Sequence, residues 1–133
     1  MSQQKRETAI LVVERSPVAR QSLSELFRSE GFQALEAADN IAAIDRIKNN
    51  KKLNVILIDL DLPAWDSVIK KARANVPNAH ILSMVSSRAV NDVAEAATIG
   101  ASRHFLKPLD FSYLHQSIQS LLAGEPLRYS YLA

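Results

Sequence analysis

The stretch NVILIDLDLP, residues 54–63, carries an apolar run into two aspartates, Asp59 and Asp61, and then a proline. A carboxylate delivered to the end of a buried strand is often chemical. Asp, Leu and Pro after a strand are also ordinary turn material, and Asp61 reads as a turn former first. Other reactive side chains follow other apolar runs. Glu14 and Arg15 come after TAILVV (8–13), Ser86 follows AHILSMV (79–85), and Lys107 follows RHFL (103–106). His80, His104 and His115 lack metal-ligand spacing and sit on different elements, so a zinc site is not expected.

The segments that would position these residues alternate regularly. TAILVV is nearly continuous in apolar residues, the pattern of a strand buried on both faces. Ser16-Pro17 supplies an N-cap with proline at the first helical position, and Ala19, Leu23, Leu26 and Phe27 follow at helical spacing until Gly31. A second strand is expected over 32–37. Asp39 caps a helix reaching Asn49, with Ile41, Ile44 and Ile47 inward. The most apolar strand spans 53–59, a helix is expected over 68–75, and a fourth strand over 79–85. Ser86 or Ser87 caps a helix carrying Val90, Val93 and Ala97, a brief strand covers 103–106, and Asp110 caps a last helix with Leu114, Ile118, Leu121 and Leu122 inward.

Five strand–helix units in alternation predict an α/β fold with a parallel sheet between two helical layers. Ligands in such sheets collect at the carboxyl ends of the strands, beside the topological switch point. Glu14, Arg15, Asp59, Val85, Ser86 and Lys107 are therefore expected to converge. The expected organisation is a disordered N-terminus over 1–7, one domain over 8–124 and a tail over 125–133.

The bulk numbers narrow the function. The chain has 133 residues, 47% of them hydrophobic, which suits one globular domain with a real core. Sixteen basic and 14 acidic residues give a formal charge of +2, too balanced and too scattered to argue for nucleic acid. Cysteine is absent, so disulfides and thiolate metal sites are ruled out. Nothing approaches a membrane span or a signal core, and a cytoplasmic location is expected.

The runs ILVVERSP, VILIDLDLP and GASRHFLKP together resemble the receiver domain of bacterial two-component response regulators, over residues 9 to about 123. The resemblance implies a doubly wound, CheY-like (flavodoxin-like) five-stranded sheet of order 2-1-3-4-5. It makes Asp59 the phospho-acceptor, a carboxylate that attacks a phosphoryl group to form an acyl phosphate. It also implies Mg2+, a lysine and a hydroxyl donor around the transferred oxygens. Lys107 stands where the family has its lysine, and His104 occupies the position of the family's switch aromatic.

Several positions depart from the family. The acidic pair that holds Mg2+ is here Glu14-Arg15, leaving Glu14 and Asp59 as metal ligands. Counting back from Lys107 at the family's interval places the hydroxyl position on Val85, which has none, with Ser86 one residue off. A guanidinium about 4 Å from a carboxylate gains on the order of 4 kcal/mol before desolvation. Arg15 is therefore expected to pair with Asp59 as a substitute for the metal, leaving Mg2+ binding weak or absent and phosphorylation impaired.

The expected function is a non-enzymatic signalling receiver acting by protein–protein interaction. A histidine kinase or phosphotransfer protein would stand upstream. A downstream protein would bind the face of the fourth helix, fifth strand and fifth helix (88–123), which also admits a homodimer. The alternative is a pseudo-receiver whose state is set by binding alone. A haloacid-dehalogenase-like phosphatase shares the Asp-x-Asp pattern but carries it on its first strand and needs a downstream acidic pair. A flavodoxin-like FMN site would need a Ser/Thr/Gly-rich phosphate loop after ILVV, and ERSPVAR is not one.

Overall fold

Short runs of Ile, Leu and Val bury both faces when strands pair in parallel and helices close over them. The computed structural model shows this arrangement and describes residues 7–124. Of the N-terminus expected over 1–7, residues 1–6 lie outside the described residues, and so does the tail expected over 125–133.

Strands and helices alternate along the chain: β1 (Ala9–Val13), α1 (Pro17–Ser29), β2 (Gln33–Ala37), α2 (Asn40–Asn49), β3 (Leu53–Asp59), α3 (Trp65–Asn75), β4 (His80–Val85), a 3₁₀ segment (Ser87–Asp92), α4 (Val93–Ile99), β5 (Arg103–Leu106) and α5 (Phe111–Leu122). All strand pairs are parallel, as the alternation predicts, and the order is β2-β1-β3-β4-β5, as the family resemblance implies. The caps fall where the sequence places them. Ser16 accepts from the Ala19 amide, Asp39 from Ala42 and Asp110 from Tyr113.

The sheet separates two cores. On one side Leu11, Val13, Ile56, Ile58, Ile81 and Val85 pack under α2, α3 and α4 through Ala43, Ile47, Val68, Ile69 and Ala96. On the other, Ile10, Val12, Val55, Leu57, Leu82, Met84 and Phe105 pack under α1 and α5 through Leu23, Phe27, Leu114 and Ile118. The pleat alternates side chains between these cores.

Four expectations change. Helix α3 begins at Trp65, three residues before the expected start, after Ala64 adopts a left-handed φ of 58°. The helix expected after Ser86 is a 3₁₀ segment followed by seven α-helical residues, so the inward positions shift: Ala96 is buried, while Val90 and Ala97 face solvent. Ile41 is 75% exposed and Leu26 41% exposed, because each lies at the margin of its helix's apolar stripe. Gly100 ends α4 at φ 138°, and a Cβ there would meet the Arg73 side chain at 2.8 Å.

Ile47 is fully buried in the α2 core while Ile41 is not. Replacing Ile47 by alanine is expected to cost about 2–5 kcal/mol through lost transfer energy and a residual cavity. Ile41→Ser should stay within about 0.5 kcal/mol of the parent. Urea unfolding of the two variants measures the difference, and equal losses would contradict the assignment of α2's inward face.

Candidate functional site

Side-chain parity builds the site. Val12, Leu57, Met84 and Phe105 all face the α1/α5 core. Two residues further along each strand stand Glu14, Asp59, Ser86 and Lys107. All four therefore project from the strand tips on the same side of the sheet. Val85 has the opposite parity.

Glu14 and Asp59 are each only 3% exposed. Between them lies the Lys107 ammonium, with Nζ 3.0 Å from Glu14 Oε1 and 3.2 Å from Asp59 Oδ1. The second Glu14 oxygen, Oε2, accepts the Ser16 amide at 3.0 Å. Asp59 Oδ1 also accepts the Asp61 amide at 2.9 Å, and the Leu62 amide donates to the Asp59 carbonyl at 3.1 Å. Asp61 thus forms the turn that its residue type suggests. Its own carboxylate accepts the Ser86 hydroxyl at 2.9 Å, which ties the ends of β3 and β4 together.

The ion pair expected between Arg15 and Asp59 does not form. Arg15 is exposed and has no ion pair among the described residues; Lys107 takes Asp59 instead. The reason is geometric. Residue 15 lies in the bend beyond the end of β1, where its side chain reaches solvent while Lys107 fills the space beside Asp59.

Val85 is also corrected. It is buried in the α3/α4 core, whereas Ser86 holds the hydroxyl at the strand tip. The count from Lys107 presumed a fixed interval, and the connection from Ser87 to Ile99 is an irregular 3₁₀ and α-helical one. Parity counted forward from Met84 identifies Ser86 without reference to Lys107. His104 lies half-buried on the opposite side of β5 from Phe105, and its Nδ1 is hydrogen-bonded to the buried Ser83 hydroxyl.

Two further residues support the site without announcing themselves in the sequence. Arg20 Nη1 donates to the Glu14 carbonyl at 2.9 Å, and Arg20 Nε donates to Glu36 on β2 at 3.3 Å. A contact to a backbone carbonyl leaves no trace in residue types. Only the placement of Arg20 one turn into the helix after Glu14 hinted at it.

The charges are strongly interdependent. Burial raises the Asp59 carboxyl and the neighbouring Glu14 charge raises it further, against the Asp61 amide and Lys107; the net direction is up. For Glu14, burial also pushes upward but is outweighed by the Ser16 amide and Lys107, so its carboxyl is held below the usual value. Burial disfavours the Lys107 ammonium, yet the two carboxylates outweigh it and raise its pKa. The pocket therefore contains two carboxylates and one firmly charged ammonium.

Among the described residues no three His, Cys, Asp or Glu side chains gather in a way that could hold a metal ion. Mg2+ is often held through one or two protein carboxylates, with water and phosphate oxygens completing an octahedron. Glu14 and Asp59 meet that minimum, with Lys107 already between them.

Among the described residues no helix is long and apolar enough to cross a membrane. The sequence model of the response regulator receiver domain matches residues 10–119. Sporulation initiation phosphotransferase F of Bacillus subtilis (strain 168) is 27% identical over 115 residues, covering 85% of this chain and 92% of that protein. Aerobic respiration control protein ArcA of Escherichia coli (strain K12) is 28% identical over 116 residues, or 86% of this chain and 48% of that protein. The chain thus spans nearly the whole of the first relative and about half of the second. In fold it is similar to a CheY-like receiver domain protein from Methanospirillum hungatei JF-1, with a TM-score of 0.81 at 21% identity, covering 88% of this chain and 94% of that one. It is also similar to the receiver domain of sensor histidine kinase PA1611 from Pseudomonas aeruginosa PAO1, which has a magnesium ion coordinated in its active site cleft; the TM-score is 0.77 at 24% identity, covering 87% of this chain and 98% of that one. With that match over most of its length and the five-stranded order that carries Asp59 to the central cleft, the chain belongs to the response regulator receiver domain family of two-component signalling.

Proposed function

We propose that this chain is an atypical receiver: Asp59 is its phospho-acceptor, Mg2+ binds weakly, phosphorylation is slow, and output is by protein–protein interaction. The observation that carries this reading is the Lys107 ammonium lodged between the Glu14 and Asp59 carboxylates, 3.0 and 3.2 Å away. An ammonium that offsets one of the two carboxylate charges from within lowers the pocket's affinity for a dication. An arginine at residue 15, where the family has a carboxylate, removes one oxygen ligand and adds a fixed positive charge at the rim.

The remaining chemistry suits phosphoryl acceptance from a histidine kinase or phosphotransfer protein, the upstream partners of receiver domains. The Asp61 amide and Lys107 both engage Asp59 Oδ1, which leaves Oδ2 to attack phosphorus. As the new O–P bond forms, the P–N bond to the donor histidine breaks and the imidazole leaves with the electron pair. Lys107 and the Ser86 hydroxyl are the groups placed to meet the charge on the transferred oxygens. Glu14 and Asp59 are the side chains that would hold Mg2+, which when bound supplies further charge neutralisation.

For output, the face expected from the sequence is supported by exposed apolar side chains on the 3₁₀ segment, β5 and α5. Val90 is 52%, Leu106 61% and Tyr113 51% exposed. A partner protein or a second copy of the chain would cover them. The same internal neutralisation also supports the second reading, a pseudo-receiver that binds partners without phosphorylation.

Trp65 opens the helix after the acceptor loop, so its fluorescence reports Mg2+ binding. Arg15→Asp is expected to bind Mg2+ at least about tenfold more tightly than the parent, equivalent to ~1.4 kcal/mol. A parent that already binds as tightly as the variant would remove the argument for an atypical site.

Mass spectrometry after incubation with acetyl phosphate and Mg2+ tests the acceptor. The parent should show little or no adduct, and Arg15→Asp a single phosphate that Asp59→Asn abolishes. Adding Ser86→Ala to Arg15→Asp should slow its formation on the order of a hundredfold, the usual effect of losing one preorganised donor. Val85→Thr should do nothing for the rate, because its side chain lies in the other core. No adduct in any variant would leave the pseudo-receiver.

Stability offers a third check. The folded-state pKa of Asp59 lies above its ordinary value of 3.8, so ionised Asp59 opposes folding. That penalty is complete above the raised pKa and absent below the ordinary one. Asp59→Asn is therefore expected to raise Tm at pH 7 by roughly 2–6 °C. The gain should shrink as pH falls through the raised pKa, and calorimetry from pH 7 to pH 3.5 measures it. A Tm unchanged or lowered at pH 7 would show that the Lys107 contact outweighs burial.

A further inference from the structure

We infer that Arg20 is a positioning residue for the acceptor pocket: its guanidinium, anchored on Glu36 of the edge strand, fixes the β1–α1 turn so that the Glu14 carboxylate faces Lys107. The inference rests on reading Glu14, Asp59 and Lys107 as the acceptor pocket, and it goes beyond that reading by tying the pocket to β2.

Beyond Val13 the β1–β3 ladder ends, and the carbonyls of Glu14 and Arg15 have left the sheet. Backbone acceptors near a buried site need donors. Arg20 Nη1 supplies them, at 2.9 Å to the Glu14 carbonyl and 3.5 Å to that of Arg15. Its Nε is held by Glu36 Oε1 at 3.3 Å, and the Arg20 side chain is only 15% exposed. Glu36 is fixed in turn: Arg28 contacts its Oε2 at 3.5 Å and Arg46 Nε donates to its carbonyl at 3.2 Å.

The consequence runs through one residue. With the Glu14 carbonyl pinned on one side and its amide donating to the Ala37 carbonyl at 3.1 Å, the Glu14 backbone has little freedom to rotate. Its side chain must then leave the strand toward the α1/α5 side, where Oε1 meets Lys107 and Oε2 meets the Ser16 amide. Without Arg20 the turn is free to rotate and the carboxylate to leave for water, since burial already opposes its charge. Lysine is no substitute. One ammonium on a flexible stem lacks the planar fork that serves a carboxylate and two carbonyls at once.

The test reads pocket geometry and not phosphorylation, so a parent that takes no phosphate leaves it interpretable. In uniformly ¹⁵N-labelled protein, the Lys107 ammonium resonance, identified by its loss in Lys107→Ala, reports the contact with Glu14 and Asp59. Exchange of the Ser16 amide reports the other Glu14 oxygen. Arg20→Ala is expected to shift or erase the ammonium resonance and to speed Ser16 exchange about tenfold, the scale of one hydrogen bond. Arg20→Lys should behave like Arg20→Ala, and Glu36→Gln should move both signals in the same direction by less. Arg28→Ala removes a longer Glu36 contact without touching the turn and should move both signals less than Glu36→Gln does; a movement as large as that of Arg20→Ala would overturn the inference. If Arg20→Ala lowers Tm yet leaves both signals at their parent values, Arg20 merely ties α1 to β2 and the inference is overturned. Recovery of both signals in Arg20→Lys would overturn the argument from the fork. Should Arg20→Ala fail to fold, Glu36→Gln decides: unchanged signals there overturn the inference.

Discussion

One ammonium between two buried carboxylates sets the terms for the rest of this molecule. Two carboxylates a few ångströms apart in a strand-tip cleft repel each other and lose hydration, and neither cost is recovered without a cation. Lys107 supplies it from the far end of the chain, 93 residues after Glu14. The five-stranded order brings β1, β3 and β5 close enough for the contact, with β4 between the last two. The fold and the ion triad therefore depend on each other. The sheet places the charges, and the ammonium offsets part of what their burial costs.

Asp59 and Glu14 divide the burden unequally. Both are deeply buried, but Glu14 has two donors on separate oxygens while Asp59 shares one oxygen between an amide and Lys107. Hence the opposite directions of their pKa shifts. Glu14, with a donor on each oxygen, is the better satisfied carboxylate of the two, and Asp59 the more exposed to the cost of burial. Functional asymmetry follows from which backbone amides happen to face each side chain.

The rim tells a different story from the floor. Ser86 restores the hydroxyl that counting along the chain had placed on Val85, so the floor of the pocket is more complete than the motifs suggest. Arg15 neither replaces the metal by pairing with Asp59 nor offers it a ligand; it stays at the surface. What departs from the family pattern is thus residue 15, in charge and in exposure, while Asp59, Lys107 and the Ser86 hydroxyl gather at the strand tips.

The sequence by itself determined the parallel strand–helix alternation and the helix caps at Ser16, Asp39 and Asp110, while its resemblance to a family carried the sheet order and singled out Asp59 and Lys107. Hydrophobic period, cap chemistry and strand-end carboxylates are local properties, and each residue carries its own signal. Only the tertiary structure decided which side chain occupies each corner of the pocket. That choice depends on parity at the strand tips, where one residue's difference sends Ser86 to the acids and Val85 to the core, and on the bend after Glu14, which leaves Arg15 at the surface. It also revealed Arg20, whose main partners are backbone carbonyls. Carbonyls are the same in every residue, so their donors become visible only when the chain is folded around them.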